Sequence, residues 1–382
     1  MKLPFNYKLG YATVILSLLL FGCAEKKGNE ESFQSTLETS YENHPNVKGI
    51  MVHVESPQNS ISWSGAVGYS NWEQTDTIEA NQPANIASMT KTYVATAILR
   101  LVEQGKLSLD QNISDLVSAK TDSLFTQFGF EPSKITVAQL LSHKSGIPNY
   151  VGTELFNYRL ANEPQYRWTR DEQIKLALKH GPLYPPVTGF EYTDTNYLLL
   201  TEIIEYLTDM PFNKAISELI GFEKLGLNET WFYTIDDYPK NSKPLIHQYV
   251  PRTNEHTYDI DPSCDLYGGG GIVATTKDAA IFFYQLFNGG IFENKETLSL
   301  MFTDVKLEGN ASESGPCSYL LGIEECQIGN LKSYGHTGYW GTVFRYFPEL
   351  DAVIVFYVVN EAEFGNIELE LIEEITSVLE EI

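Results

Sequence analysis

The chain is poor in cysteine, in histidine and in positive charge. Only 4 of its 382 residues are Cys, which excludes a small disulfide-built scaffold. The 7 histidines are scattered without metal-ligand spacing, so a metallohydrolase is disfavoured and no cofactor is implied. Lys and Arg total 26 against 50 Asp and Glu, a formal net charge of −24. A surface of that sign repels nucleic acid and anionic headgroups, which excludes a nucleic-acid partner. There is no Gly-x-Ser-x-Gly elbow of the α/β-hydrolase kind, no internal repeat and no low-complexity block. The N-terminal apolar run, Ala12 to Phe21, falls short of the roughly 20 residues that span a bilayer.

That run follows Lys2 and Lys8 and ends Leu20-Phe21-Gly22-Cys23. A basic segment before an apolar one reads as an export signal over residues 1–22. Its end resembles a bacterial lipobox, although Phe21 is bulkier than that motif usually carries. Cleavage there leaves a lipidated Cys23, a polar tether over 23–31, and contact with the membrane only through the lipid. Without Lys2 and Lys8 the balance is 24 basic against 50 acidic residues, or −26. Of the other cysteines, Cys317 and Cys326 flank a short segment and can bridge in an oxidising compartment, whereas an odd number leaves at least one unpaired within the chain.

Hydrophobic residues make up 43% of the chain, with 23 Tyr and 20 Phe, enough for a sizeable core. Strands are expected at Val47–Val54, Ser60–Tyr69, Leu320–Glu324, Thr342–Phe347 and Ala352–Val359. Helices are expected over 32–43, Met89–Gln104, from a capping box at Thr136–Gln139, and at Leu198–Leu207, Phe212–Leu219, Ala279–Phe287 and Ile367–Leu379. Strands at both ends and helices between them predict a shared sheet with a second, helical lobe.

Three polar motifs carry chemistry. Ser88-Met89-Thr90-Lys91 opens the helix that continues to Gln104, and a serine and lysine three residues apart share one helix face. Ser88 can be a nucleophile once Lys91 takes or shares its proton. Tyr192-Thr193-Asp194 offers a phenol that exchanges protons with a nearby lysine. His336-Thr337-Gly338 leads into a strand-like run, with a glycine small enough for a substrate backbone to approach. Gly268 to Gly271 reads as a close backbone approach, because no Lys-Ser/Thr follows to make a phosphate loop.

In this order the motifs resemble the serine β-lactamase and penicillin-binding DD-peptidase superfamily, in particular its class C β-lactamase and D-alanyl-D-alanine carboxypeptidase branch. Leu140-Leu141-Ser142-His143-Lys144-Ser145-Gly146-Ile147-Pro148 and Gly269-Gly270-Gly271-Ile272-Val273-Ala274-Thr275 belong to the same resemblance. It implies an α+β fold of the β-lactamase/transpeptidase type, an antiparallel sheet flanked by helices plus a mostly helical lobe. One catalytic domain would cover 32–382, its sheet lobe drawn from 32–87 and 315–382 and its helical lobe mainly from 106–260. Carried over by motif, Ser88 is acylated, Lys91 and Tyr192 relay the proton, and the N–H groups of Ser88 and Tyr339 form the oxyanion hole. Asp194, His336, Thr337 and Gly338 bind or orient the substrate, and Ser142 to Pro148 holds a turn.

Two positions depart from the branch. Asp194 replaces its usual Asn, and a carboxylate there favours a charged Lys91, which shifts the base role toward Tyr192. His336 replaces lysine, which weakens capture of a β-lactam carboxylate. The implied activity is a DD-peptidase on cell-wall or D-amino-acid peptides. The alternatives are an esterase or β-lactamase acting on an ester or β-lactam, and a non-catalytic penicillin-binding sensor.

Overall fold

The computed structural model describes residues 29–251, 253–309, 316–360 and 364–382. The expected signal peptide and Cys23 lie outside them. The expected tether is shortened at its end, because residue 29 already begins a helix that runs to 43.

Strands from the two ends of the chain form one seven-stranded antiparallel sheet. Its order is Ile61–Gly68, Gly49–Ser56, Ala352–Val358, Thr342–Phe347, Leu331–Gly338, Glu324–Ile328, Cys317–Tyr319. The seam between the ends pairs Ile50 with Val358 through Glu55 with Val353. Along that strand Ile50, Val52 and Val54 face one side and Met51 the other. The first set packs with Ile354 and Phe356 beneath the helix at 29–43 and the C-terminal helix Phe364–Glu380, through Phe33, Leu37, Leu371 and Ile375. On the opposite face, Val353, Val355 and Tyr357 meet the helix Thr276–Phe287, where Phe283 stacks on Phe344 at 3.4 Å. Burial on both faces explains why Ala352–Val358 reads as an unbroken apolar run.

The helix Thr90–Glu103 lies inside the molecule and is buried continuously from Thr90 to Leu99. A helix walled on every side has no polar face to give away, so its Lys91, Thr92 and Thr96 must find internal partners. Around it pack Asp194–Thr208, Phe212–Ile220 and Lys295–Met301, and Val137–Leu141, opened by the anticipated capping box, packs on Asp194–Thr208. A short three-stranded sheet, Ala84–Asn85, Ile272–Ala274 and Thr230–Phe232, was not foreseen. These strands are too brief for a periodic signal.

Two expected elements change. Leu320–Glu324 is not a strand: Leu320 to Ile323 form the turn between the last two sheet strands, with Gly322 at φ 78°. Gly322 is pressed on the buried helix, its carbonyl accepting from Thr92 Oγ1 at 2.8 Å, and a Cβ there would lie 2.4 Å from Ala95 Cβ. The helix expected from Leu198 begins at Asp194, because Thr193 Oγ1 caps it by accepting from Thr195 N at 3.2 Å.

Cys317 and Cys326 face each other across the edge hairpin and are joined in a disulfide. So short a loop gains about 3 kcal/mol in the chain-entropy account. Reduction, or a Cys317→Ala/Cys326→Ala double substitution, is expected to lower the calorimetric midpoint by a few degrees. An unchanged midpoint contradicts a stabilising staple.

Candidate active site

Ala87–Met89 form a 3-10 turn that runs directly into Thr90–Glu103. Ala87 sits at φ 45°, a left-handed conformation that is costly for a residue with a Cβ. The neighbouring Ile86 is tied on both sides: its N–H donates to Ile272 O at 3.0 Å, and its carbonyl accepts from Thr342 Oγ1 at 3.0 Å. Gly338 lies against the same carbonyl, where a Cβ would stand only 2.4 Å from Ile86 O. Its small size therefore admits the Ser88 turn against the strand Leu331–Gly338.

Lys91 is fully buried, and its Nζ donates to three acceptors: Ser88 Oγ at 2.9 Å, Asp194 Oδ1 at 2.5 Å and Gly269 O at 2.6 Å. Three donors meeting three acceptors, one of them a carboxylate, describe an ammonium group. The rings of Tyr192 and Tyr197 flank it, 4.8 and 5.5 Å from Nζ to their centroids. The glycine run makes this convergence possible. A Cβ at Gly269 would lie 2.9 Å from Asp194 Cβ, and one at Gly270 would lie 2.1 Å from Asp265 Oδ2.

Tyr192 lies beside Ser88 on the same cavity wall, and burial, helped by the charge of Asp194, raises its phenol well above the ordinary value. Asp194 occupies the first turn of its helix, where the helix dipole favours a carboxylate. The segment from Ser142 to Pro148 braces this loop. His143 Nδ1 accepts from Thr193 N at 3.2 Å, Pro148 O accepts from Thr195 Oγ1 at 2.9 Å, and Ser145 Oγ donates to Asn196 Oδ1 at 2.8 Å. The His143 ring lies 4.4 Å from that of Tyr192 and 4.6 Å from that of Tyr319.

His336 is almost wholly buried. Its Nδ1 is 2.6 Å from Thr337 O, which only accepts, so the ring proton sits on Nδ1 and Nε2 accepts from Tyr319 OH at 3.0 Å. Burial first, and Lys91 second, push His336 down to about 3. It is neutral and presents no cation to a substrate.

Ser88, Tyr192, Asp194, His336, Thr337 and Tyr339 line one cavity of about 560 Å³, a volume suited to a small organic molecule. Lys91 lies behind Ser88. Tyr339 follows the strand end, and its phenol donates to Glu255 Oε2 at 2.6 Å. The cavity also takes Asp265, Glu255, Glu324 and Asn149, with an apolar wall that includes Phe156, Leu160, Ile260 and Trp340. None of these lies in a recognisable motif. The one available signal was Asp265, a carboxylate three residues before a run of four glycines.

Penicillin-binding protein 4* of Bacillus subtilis (strain 168) is 24% identical over 353 residues, covering 88% of this chain and 73% of the relative. Among solved structures, D-amino acid amidase from Ochrobactrum anthropi SV3 complexed with L-phenylalanine superposes with a TM-score of 0.77 at 21% identity, covering 93% of this chain and 99% of the other. D-stereospecific amidohydrolase from Streptomyces sp. gives 0.75 at 22%, covering 90% and 97%. At such identities the structural likeness speaks for the fold alone. Residues 47–375 match the Beta-lactamase family, and with this fold around Ser88 and Lys91 the chain belongs to that family and is a serine hydrolase.

Proposed function

We propose that the protein cleaves amide bonds in D-amino-acid peptides or amides through an acyl-enzyme on Ser88. The observation that carries this reading is Ser88 Oγ held by the Lys91 ammonium on a cavity wall that the Tyr192 phenol shares. Because Oγ accepts from Lys91, the Ser88 hydrogen is left to be passed to Tyr192 on the same wall. As Oγ bonds to the carbonyl carbon, its proton passes to Tyr192, and the proton Tyr192 held passes to the leaving nitrogen as the C–N bond breaks. Tyr192 is then never a free phenolate, in keeping with its raised pKa. Water reverses the relay: its oxygen attacks the acyl carbon as its proton goes to Tyr192, then the bond from that carbon to Ser88 Oγ breaks and Tyr192 returns a proton to Oγ, releasing the acid. Lys91 stays charged and steadies the electron-rich oxygens of both partners. The N–H groups of Ser88 and Tyr339 receive the oxyanion, and Thr337, with His336 fixing its carbonyl, orients the substrate.

D-alanyl-D-alanine peptides fall within this class, and a relative named putative D-alanyl-D-alanine carboxypeptidase, 26% identical over 297 residues, supports them. The D-amino acid amidase and D-stereospecific amidohydrolase likenesses support amides equally. A neutral His336 favours substrates that do not rely on that position to capture a terminal carboxylate. The reading extends to export and anchoring through Cys23, supported by the sequence of residues 1–23. Among the described residues no helix is long and apolar enough to cross a membrane. Substituting Cys23→Ala is expected to move the protein from the membrane to the soluble fraction, and unchanged partitioning argues against the anchor.

Intact-mass spectrometry across a D-amino acid amide, a D-alanyl-D-alanine peptide, a short acyl ester and a β-lactam is expected to show an acyl adduct on the wild type and none on Ser88→Ala. The rate should fall about a thousandfold or more with that substitution. Adducts that persist on Ser88→Ala overturn the assignment.

Asp194→Asn removes the charge that helps to hold Tyr192 protonated. The alkaline limb of kcat/KM is therefore expected to move to lower pH in that variant, alongside a reduced maximum. Superimposable pH profiles argue against coupling between the two residues.

A further inference from the structure

The lining of the cavity is unusually acidic for a site whose family resemblance implies carboxylate-bearing substrates. Asp194, Asp265, Glu255 and Glu324 all contribute to it. Three of them are satisfied internally. Asp194 holds Lys91, Glu324 accepts from the buried Arg345 at 3.1 Å, and Glu255 accepts from Tyr339. Asp265 differs. Among the described residues no side chain donates to it, and its carboxylate occupies the space that a Cβ on Gly270 would take. Burial and the nearby charge of Asp194 push it up to about 7, even though Lys91 acts in the other direction. Asp194 and Asp265 both neighbour one ammonium, whose three N–H groups go to Ser88, Asp194 and Gly269 and none to Asp265.

Glu255 lines the same cavity as Asp265. The same cavity is lined by an uncharged histidine and the apolar surfaces of Phe156, Leu160 and Trp340. A cation entering this space gains from two carboxylates without displacing an existing ion pair, whereas an anion meets repulsion in a partly desolvated setting.

We infer that the cavity selects substrates with an unblocked amino group, bound as an ammonium by Asp265 with Glu255 beside it, next to an apolar side chain. This rests on the acyl-enzyme reading above and narrows it to amino-acid amides and peptides cleaved next to a free amino terminus. Asp265 is the residue that sets this preference.

The test pairs D-phenylalanine p-nitroanilide with its N-acetyl twin. The free amine is expected to show kcat/KM at least tenfold higher, and Asp265→Asn to collapse that ratio toward one, mainly through KM. Asp265→Glu, which keeps the charge, should restore part of it. The ratio is internal to each variant, so a general loss of folded protein does not move it. Parity of the two substrates in the wild type, or a ratio unchanged in Asp265→Asn, overturns the inference. Calorimetric binding of D-phenylalaninamide and N-acetyl-D-phenylalaninamide to Ser88→Ala protein needs no acylation. A tenfold preference for the free amine supports the inference even if Ser88 proves not to be acylated, and equal affinities overturn it.

Discussion

The site is organised around one buried ammonium. Lys91 has no solvent, so each of its three N–H groups must be met by protein, and the partners come from three remote segments: the Ser88 turn, the start of the helix at Asp194, and the glycine run at Gly269. Leaving any donor unmet in such a setting costs on the order of several kcal/mol for a charged group. The requirement fixes the relative positions of the three segments to within hydrogen-bond tolerance. It also explains the glycines, because a side chain at Gly269 would push Asp194 away from the lysine.

The same ammonium sets the charge state of its neighbours. It acts with burial to keep His143 and His336 neutral, and it leaves Asp265 in competition with Asp194 for positive charge. A neutral His336 in turn has one ring proton, which is committed to Thr337 O, so its other nitrogen must accept, and Tyr319 supplies the donor. Tyr319, Tyr192, Tyr197 and His143 then close the wall as a packed aromatic group. The polarity of the cavity thus follows from how one buried charge is shared.

Much of this was legible in the chain. The seam strands, the buried helix after Ser88 and the C-terminal helix have strong periodicity or apolar runs, and their ends shifted by only a few residues. Ser88 and Lys91 stood out because their spacing places two reactive groups on one helix face, whereas Tyr192 and Asp194 gained their roles from the order of motifs in the family resemblance. Leu320–Glu324 was misread because an apolar run bends at Gly322 to rest on another helix, a contact that local pattern does not encode. Gly338 was assigned a substrate-facing purpose, and only the packing of Ile86 revealed what occupies its missing side chain.

By itself the sequence determined the reactive groups, the sign of the surface and the fold class, because spacing, composition and periodicity are local properties of a chain. Tertiary structure alone decided which acceptors surround Lys91, which tautomer His336 adopts, and that Asp265, Glu255 and Glu324 reach the same cavity as Ser88. Those are outcomes of long-range contact, where burial and mutual charge settle each group's state, and no single segment carries enough of the neighbourhood to reveal them.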